Sequence, residues 1–294
     1  MIWGLTISYK DTMENSIELN GVSRSFGKFA LDNVSFCVPR GCIVGFIGEN
    51  GAGKSTTIKA ILGLIHTDSG KITVLGDDSS NLSCAVREKI GVVFDTPCFP
   101  DMLNARRLDR VMAGIYKTWD SACFFRYLDR FGLPLNRKLR EFSRGMGMRL
   151  SIAAALAHSP ELLVLDEPTG GLDPIVRSEI LDILLEFMQN ENHSILLSSH
   201  ITSDLEHIAD YICFIHKGRV VFFDERNEML EKHRILKCSE EQLALIDKQD
   251  IIGMRQGRYC CEVLTAAADK YPDITADAPT IDEIMVYYVK EEQA

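Results

Sequence analysis

The sequence predicts an α/β fold in which a phosphate-binding loop joins a buried strand to a helix. The run from Cys42 to Ile47 is apolar and contains β-branched residues, which is typical of a buried strand. It leads directly into Gly48–Ser55, which matches the phosphate-loop pattern G-x-x-x-x-G-K-[ST], and a helix is predicted to follow. Further short apolar runs at residues 90–94, 162–165 and 194–198 supply more strands for a core sheet.

The phosphate loop predicts that the chain binds a nucleoside triphosphate. Its glycines let the backbone bend tightly and bring N–H groups close to phosphate oxygens, which a Cβ atom would obstruct. Lys54 supplies a positive charge for the β- and γ-phosphates, and Ser55 offers a hydroxyl to Mg²⁺. The helix that begins there directs its N-terminal dipole at the same anion.

The composition excludes several classes of protein. With 32 Lys and Arg against 42 Asp and Glu, the 294-residue chain has a formal net charge of −10, so a broad basic surface for nucleic acid is not expected. It contains no run of about 18 or more apolar residues, and its first residues lack the features of a signal peptide. Nine cysteines without a C-x-x-C pair fit reduced thiols rather than a disulfide framework or a zinc site. We therefore expect a cytoplasmic protein.

The order of the elements predicts a mixed core sheet with an antiparallel part and a helical insert. Residues 17–47 are rich in strands, and Tyr211–Ile215 and Val220–Phe223 flank a predicted hairpin turn. Between about residues 100 and 158 the apolar residues are spaced three and four apart, which predicts helices between two core strands. Beyond Asp224 the pattern weakens into short mixed segments, and we expect a small C-terminal α+β extension there.

The N-terminal residues precede the first predicted strand, which begins at Ile17. Met13 lies just upstream of that strand. We expect translation to begin at Met13, with residues 1–12 an artefact or a loose tail, and residues 1–16 to be poorly ordered.

Two carboxylates follow the apolar run at residues 162–165. Asp166 is placed to hold Mg²⁺, directly or through water, as the acidic partner of a phosphate loop. Glu167 is the natural group to polarise an attacking water, a role worth about 10²–10⁴ in rate for a positioned base. His200 follows residues 194–198 at the strand end where ligands bind in open parallel sheets. The alternative is that the two carboxylates cap the next turn and that His200 is a structural residue.

These segments resemble the nucleotide-binding subunit of ABC transporters. The segments that occur in that family's order and approximate spacing are the phosphate loop, Asp166-Glu167-Pro168-Thr169, Gly171-Leu172-Asp173-Pro174 and Ser198-Ser199-His200. Phe142-Ser143-Arg144-Gly145-Met146 lies where the family carries its signature L-S-G-G-Q. The resemblance implies a P-loop NTPase fold of ABC ATPase type over residues 17–224, with a helical subdomain at about 100–158 and a C-terminal extension at 225–294.

The resemblance also implies roles for individual residues. Glu167 would be the catalytic base, His200 would contact the γ-phosphate, and Lys54 would act on the phosphates with them. Phe26 matches the aromatic residue that stacks on adenine, an interaction worth about 1–3 kcal/mol per base, although a Phe in its place can also be an ordinary core residue. The residues that would cradle the phosphates of ATP are Gly48, Glu49, Asn50, Gly51, Ala52, Gly53, Lys54, Ser55 and Thr56. The residues that would serve Mg²⁺ are Ser55, Asp95 and Asp166.

Two positions depart from the family pattern. Asp95 stands where the family usually has a glutamine, and although a carboxylate is also a hard oxygen ligand, its charge is expected to weaken ATP binding or raise the Mg²⁺ requirement. Arg144 and Met146 differ from the signature. Ser143 and Gly145 match it, and they would offer a hydroxyl and a close backbone N–H to a γ-phosphate of the opposite subunit. Asp173 would lie at the same dimer interface.

The form S-R-G-M, Asp95 and the tail after Asp224 together resemble a bacterial subgroup that serves ABC-2-type exporters, similar to the YtrB and bacitracin-exporter ATPases. That resemblance implies an ATP-hydrolysing subunit on the inner face of the bacterial plasma membrane, with a separate multi-span permease as its partner and no nucleic acid. The chain would form a homodimer, or a heterodimer with a second ABC ATPase. The alternative is a soluble ABC ATPase in a non-transport assembly. A binding module with an idle site would lack Lys54 or Glu167, and both are present.

Overall fold

The computed structural model describes residues 14–257 and 260–291. The predicted loose tail at residues 1–12 and the predicted start at Met13 lie outside them. The strands of the described residues are β1 (Asn15–Phe26), β2 (Phe29–Pro39), β3 (Ile43–Ile47), β4 (Ser69–Val74), β5 (Asp77–Asp78), β6 (Ile90–Val93), β7 (Leu162–Asp166), β8 (Ser194–Ser199), β9 (Tyr211–His216), β10 (Arg219–Glu225), β11 (Arg234–Cys238), β12 (Gly253–Gln256), β13 (Cys261–Thr265) and β14 (Thr275–Asp277). The α-helices are α1 (Lys54–Ile61), α2 (Cys84–Arg87), α3 (Ala105–Ile115), α4 (Ser121–Arg130), α5 (Arg144–Leu156), α6 (Pro174–Phe187), α7 (Thr202–Ile208), α8 (Arg226–Lys232), α9 (Glu240–Leu243) and α10 (Ile281–Glu291).

The core of the molecule is a six-stranded sheet with the order β10-β9-β3-β8-β7-β6. Strands β6, β7, β8, β3 and β9 run parallel, and β10 pairs antiparallel with β9 across the predicted hairpin turn. Every residue of β3, β7 and β8 is buried, and separate hydrophobic clusters pack on the two faces of the sheet. Burial on both faces is the reason that these strands appear in the sequence as uninterrupted apolar runs.

A second, antiparallel sheet with the order β2-β1-β4-β5 covers one face of the main sheet. Phe36 of β2 stacks on Phe46 of β3, with ring centroids 5.1 Å apart. Apolar residues of β1, β2 and β4 join those of β3 and β9 in one hydrophobic cluster. This layout confirms the predicted α/β fold with a mixed core sheet and an antiparallel part.

Strand β1 begins inside the segment that the sequence predicts to be poorly ordered. Asn15 pairs with Pro39 of β2, and the buried Ser16 Oγ lies 2.8 Å from Ser194 Oγ on β8. Pairing and burial fix these two residues in the sheet. Strand β1 therefore begins two residues before the end of the tail that the sequence predicts at residues 1–16.

The helical insert between β6 and β7 contains α3, α4 and α5. Each of these helices begins after an N-cap side chain that accepts a hydrogen bond from the backbone N–H three residues later, and the caps are Asn104, Asp120 and Ser143. Leu108 of α3 and Phe124 and Leu128 of α4 pack into the larger of the two clusters on the main sheet, which also contains Leu165 of β7 and Leu197 of β8 and which we call the main cluster. Val111 and Ile115 are 45% and 63% exposed, so the apolar face of α3 is only partly covered.

The last part of the chain forms an antiparallel sheet of its own, with the order β12-β13-β11-β14. We call the described residues from 234 to 291 the C-terminal module. Its own hydrophobic cluster contains Leu236, Cys238, Ile246, Cys261, Val263 and Ile274. Helix α10 instead packs Ile281 and Ile284 into the main cluster, and Ile281 N donates to Glu206 Oε1 on α7 at 3.1 Å. The module therefore has a separate core but is joined to α7.

Candidate nucleotide-binding site

The carboxyl ends of neighbouring parallel strands bring the predicted site residues to one edge of the main sheet. Ile47 at the end of β3 pairs with Ser199 at the end of β8, and Asp166 at the end of β7 pairs with Ser198. Strand β6 ends beside β7 at the same edge. The residues that leave these strand ends are Gly48, Glu167, His200 and Asp95. In open parallel sheets this edge is where ligands bind.

The phosphate loop depends on glycine at positions where a side chain has no room or no suitable backbone conformation. A Cβ atom on Gly48 would lie 2.4 Å from Ile215 O. Gly53 is the N-cap of α1 with φ +118°, and Gly51 has φ +84°, both in the region that favours glycine. A Cβ on Gly51 would meet nothing within 4 Å, so the loop borders open space there.

Lys54 folds back over the loop as a buried cation. Its Nζ donates to Gly48 O at 2.6 Å and to Glu49 O at 3.3 Å, and its side chain is only 6% exposed. The next residue, Ser55, is exposed. The N–H groups of the first turn of α1 have no intrahelical acceptors, as in any helix. The start of α1 therefore carries a cation, an exposed hydroxyl and N–H groups without intrahelical acceptors, which are the groups that bind phosphate.

The β9–β10 hairpin is joined to the phosphate loop by a backbone hydrogen bond. Gly218 N donates to Ala52 O at 2.9 Å, and Asp32 N donates to Gly218 O at 2.9 Å. Gly218 has φ +81°, and a Cβ there would lie 1.8 Å from Ala30 O. The sequence predicts this turn but gives no sign that it contacts the loop, because the contact joins segments far apart in the chain.

Glu167 connects the phosphate loop to His200. Its Oε1 lies 3.2 Å from Lys54 Nζ, and its Oε2 lies 2.6 Å from His200 Nδ1. Glu167 has φ +52°, an unfavourable value for a residue with a side chain, so its surroundings must hold it there. Ser198 does so: its Oγ accepts a hydrogen bond from Glu167 N at 3.1 Å and donates to Asp166 Oδ1 at 2.6 Å. The sequence includes Ser198 in a motif but does not reveal this bridging role.

The oxygen atoms near the loop suit Mg²⁺ that is held mainly through a nucleotide. Asp166 is buried with a carboxylate at the strand edge, Ser55 is exposed at the start of α1, and Asp95 is exposed in the loop after β6. Among residues 14–257 and 260–291, no group of three or more His, Cys, Asp and Glu side chains is placed to hold a metal ion. Mg²⁺ usually binds one or two carboxylates together with substrate phosphates and water, and this donor set fits that pattern.

Phe26 lies at the end of β1 near the phosphate loop. Its side chain is 44% exposed, its ring stacks on Phe29 with centroids 6.5 Å apart, and Arg24 lies over it at 5.2 Å. Phe29 in turn approaches the loop, because a Cβ on Gly53 would lie 3.0 Å from its Cζ. The ring is therefore partly exposed beside the loop, in contact with Arg24 and Phe29, and an exposed aromatic ring is the kind of side chain on which a base stacks.

Ser143, Gly145 and Asp173 form a second group of predicted site residues. They line a cavity of about 370 Å³ at the start of α5 and α6. Ser143 Oγ accepts a hydrogen bond from Met146 N at 3.2 Å, and Asp173 Oδ1 accepts from Val176 N at 3.1 Å, so both side chains cap helices. The structure thus groups the predicted residues in two places: the phosphate loop, Asp166, Glu167 and His200 at the sheet edge, and the signature residues with Asp173 in this cavity.

A phosphate loop that follows a buried strand of a parallel sheet, next to a strand that ends in carboxylates, defines a P-loop nucleotide-binding protein. The profile of the family described as ABC transporter matches residues 31–170. The bacitracin transport ATP-binding protein BcrA of Bacillus licheniformis is 34% identical over 240 residues, which are 80% of this chain and 78% of that protein. The chain belongs to the ABC transporter family, as a subunit that binds and hydrolyses ATP.

Two further comparisons extend this result. The ABC transporter ATP-binding protein YhcH of Bacillus subtilis (strain 168) is 31% identical over 286 residues, which are 95% of this chain and 92% of that protein. The solved structure of an ATP-binding subunit of an ABC transporter matches with a TM-score of 0.67 at 31% identity, over 73% of this chain and 92% of that one. The predicted ABC ATPase identity and fold are confirmed, and the similarity to YhcH includes the C-terminal module.

Proposed function

We propose that this chain is the motor subunit of a membrane exporter, in which ATP closes two ATPase chains head to tail and hydrolysis reopens them. The phosphate loop of one chain would face Ser143 and Gly145 of the other, with Asp173 at the interface. Ile175, two residues after Asp173, is 80% exposed, and such an interface would cover it. A second copy of this chain and a different ABC ATPase both fit as the other half.

The contact of Glu167 with both Lys54 and His200 carries the proposal for hydrolysis. When ATP binds, Lys54 would interact with phosphate oxygens, and Glu167 Oε1 would become free to accept a proton from water. His200 Nδ1 would hold the other carboxylate oxygen and so orient the base. Ser198 bonds to the carboxylate of Asp166 and to the backbone N–H of Glu167, and so fixes the Glu167 backbone relative to Asp166.

The same residues would hold the nucleotide and its cation. Ser55 and Asp166 would hold Mg²⁺, with Asp95 in the adjacent loop, and the ion would neutralise charge on the phosphates. Phe26 would stack on adenine, and the backbone from Gly48 to Thr56 would surround the phosphates. These assignments are supported by the glycine geometry of the loop and by the convergence of oxygen ligands at one sheet edge.

A surface beside Asp95 would contact the membrane partner. A cavity of about 410 Å³ opens between the Asp95 loop and the start of α5, lined by apolar side chains such as Phe99 and Phe142 and by charged ones. On the same helical insert, Met102 and Ile115 are 59% and 63% exposed. Met102 follows Asp101 of the cavity lining, and exposed apolar side chains beside a cavity are typical of a protein interaction site. Within the described part of the chain, no helix is long and apolar enough to span a bilayer.

The exported compound would be selected by the permease. The similarity to a protein named for bacitracin transport supports a peptide antibiotic or a related compound as the cargo. In that case the chain would act on the inner face of the plasma membrane of a bacterium.

Co-purification tests the transporter assignment. The tagged chain is expressed in its native bacterium, membranes are extracted in mild detergent, and the bound proteins are identified. We expect a multi-span protein in the eluate, with or without a second ATPase. A Met102→Asp variant should lose the multi-span protein, whereas the control Leu64→Asp, at a residue equally exposed (59%) elsewhere, should retain it. A chain that recovers only cytoplasmic partners would point to a non-transport assembly and leave the ATPase chemistry intact.

A further inference from the structure

Asp204 is a buried carboxylate that the proposed chemistry does not use. Among the described residues, the buried Lys, Arg, Asp and Glu side chains are Lys54, Asp166 and Asp204. The first two belong to the nucleotide site. Asp204 lies in the first turn of α7 and is only 1% exposed. An ionised carboxylate is retained in such a place only when partners compensate for the loss of water.

The partners of Asp204 come from another part of the chain. Its Oδ2 accepts a hydrogen bond from Thr169 Oγ1 at 2.6 Å, and its Oδ1 accepts one from Arg177 Nε. The guanidinium of Arg177 also donates from Nη2 to Ser203 Oγ at 2.6 Å. Both carboxylate oxygens of Asp204 are therefore engaged, one by a hydroxyl and one by a cation.

These contacts join the segments that carry the catalytic residues. Thr169 is two residues after Glu167, and Asp204 is four residues after His200. Arg177 is in the first turn of α6. The carboxylate of Asp204 is thus the point at which the Glu167 loop, α6 and the His200 segment are attached to one another.

Glu167 needs support of this kind on both sides. Its φ of +52° is unfavourable, so it must be held by neighbours that fix the chain before and after it. Ser198 bonds to Asp166 and to Glu167 N and fixes the chain up to Glu167. On the other side, the side chain that reaches across to a different segment is Thr169, and its partner is Asp204.

We propose that Asp204 is a positioning residue that sets the relative position of Glu167 and His200 through Thr169. The inference rests on the proposed roles of these two residues in hydrolysis. Asp204 lies outside the phosphate loop, so its loss should affect the chemical step and leave ATP binding almost unchanged. A displacement of about 1 Å at a catalytic group can reduce a rate about 10²-fold.

The test compares kcat, KM for ATP and the thermal unfolding midpoint across a set of variants. For Asp204→Ala we expect kcat to fall roughly 10- to 100-fold, with KM for ATP changed less than about threefold. Thr169→Val removes only the hydroxyl and leaves Asp204 paired with Arg177, and we expect a smaller fall in kcat. Thr169→Ser restores the hydroxyl and should return kcat to near the wild-type value.

The control is Asp250→Ala in the C-terminal module. Asp250 has a similar set of partners, since it accepts hydrogen bonds from Lys270 Nζ at 2.8 Å and from Tyr271 Oη at 2.7 Å. This variant should lower the unfolding midpoint without changing kcat. A fall in kcat equal to that of Asp204→Ala would show a general effect of lost stability and would overturn the inference.

The remaining outcomes are also decisive. Wild-type kcat in Thr169→Val, or an equal loss of kcat in Thr169→Val and Thr169→Ser, overturns the inference even if Asp204→Ala does not fold. Glu167→Gln is assayed in parallel. If Glu167→Gln hydrolyses ATP at the wild-type rate, the proposed role of Glu167 fails. If Glu167→Gln is inactive and Thr169→Val is unaffected, only the role of Asp204 fails.

Discussion

The nucleotide-binding core and the C-terminal module are both packed around apolar clusters, but they differ in where their charged groups lie. In the core, Lys54, Asp166 and Asp204 are buried at one edge of the main sheet. In the module, the pair of Lys237 with Asp277 has both side chains more than 40% exposed, and a pair so exposed contributes little to stability. Burial of charge is costly, so each of these three groups needs partners that compensate for the loss of water. The comparison indicates that the core is organised for chemistry and the module for packing.

The core and the C-terminal module meet at α7, so substitutions on either side of this helix can test whether the two regions have separate functions. Helix α7 carries Asp204 on the side of the catalytic segments, and its Glu206 side chain accepts a hydrogen bond from Ile281 N of α10. Arg226, just before the module, donates to Glu206 O at 2.7 Å. If the regions have separate functions, a substitution in each should change one property and leave the other unchanged.

The largest effect is expected from Glu167→Gln in the core. The amide cannot accept a proton from water, so hydrolysis should fall about 10²–10⁴-fold, whereas ATP-bound dimers should persist. ATPase assays and size-exclusion chromatography with ATP measure both effects. The control is Glu161→Gln at the opposite end of β7, where the carboxylate pairs with Lys89 at 2.8 Å. That variant should hydrolyse ATP normally. Glu167→Gln with the wild-type rate would contradict the assignment of the base.

Ile284→Ala in α10 is expected to lower the stability of the protein without affecting the nucleotide site. Ile284 is fully buried in the main cluster, and replacing a buried Ile by Ala typically lowers the free energy of unfolding by about 2–5 kcal/mol. ATP affinity should be almost unchanged, because the site lies at the other end of α7. The control is Val286→Ala on the same helix, where the side chain is 48% exposed and the change should be about 0.5 kcal/mol or less. A loss of ATP binding in Ile284→Ala would show that the module is part of the nucleotide site.

The sequence predicts the core better than the module for a physical reason. Strands β3, β7 and β8 are buried on both faces and appear as continuous apolar runs. In the module, only one of four residues of β12 is buried and none of β14, so neither strand has a pattern to detect. They are strands because β13 and β11 pair with them, which is a tertiary effect.

The candidate site shows the same division between local and distant interactions. The phosphate loop, Asp166, Glu167 and His200 are found in the sequence because each belongs to a short motif beside a strand. The support of the loop by Gly218 and the attachment of Thr169 to Asp204 join residues far apart in the chain, and no local pattern reports them. The one feature of the sequence that relates to the contact between Thr169 and Asp204 is the acidic residue Asp204 itself, four positions after His200.

The smallest effect is a loss of stability at acidic pH that both regions should share. His158 of the core and His233 beside the module are buried, and burial lowers the pKa of each from the ordinary value of 6.5. His158 Nε2 lies 3.3 Å from Ile90 O, and His233 Nδ1 lies 2.8 Å from Met229 O. The folded state therefore favours the neutral ring, and the unfolded state binds the proton more readily.

The sign of the pH dependence follows from these lowered pKa values. The contribution to stability is fully present above the unfolded pKa of about 6.5 and is lost as the pH falls below it towards the folded pKa. Unfolding midpoints measured from about pH 7.5 to about pH 5.5 should decrease. His158→Gln, which cannot take up the proton, should reduce that dependence for the core, and His233→Gln should do so for the module. If the regions unfold in separate transitions, each variant should flatten only its own, whereas equal slopes in wild type and both variants would assign the acid sensitivity to other groups.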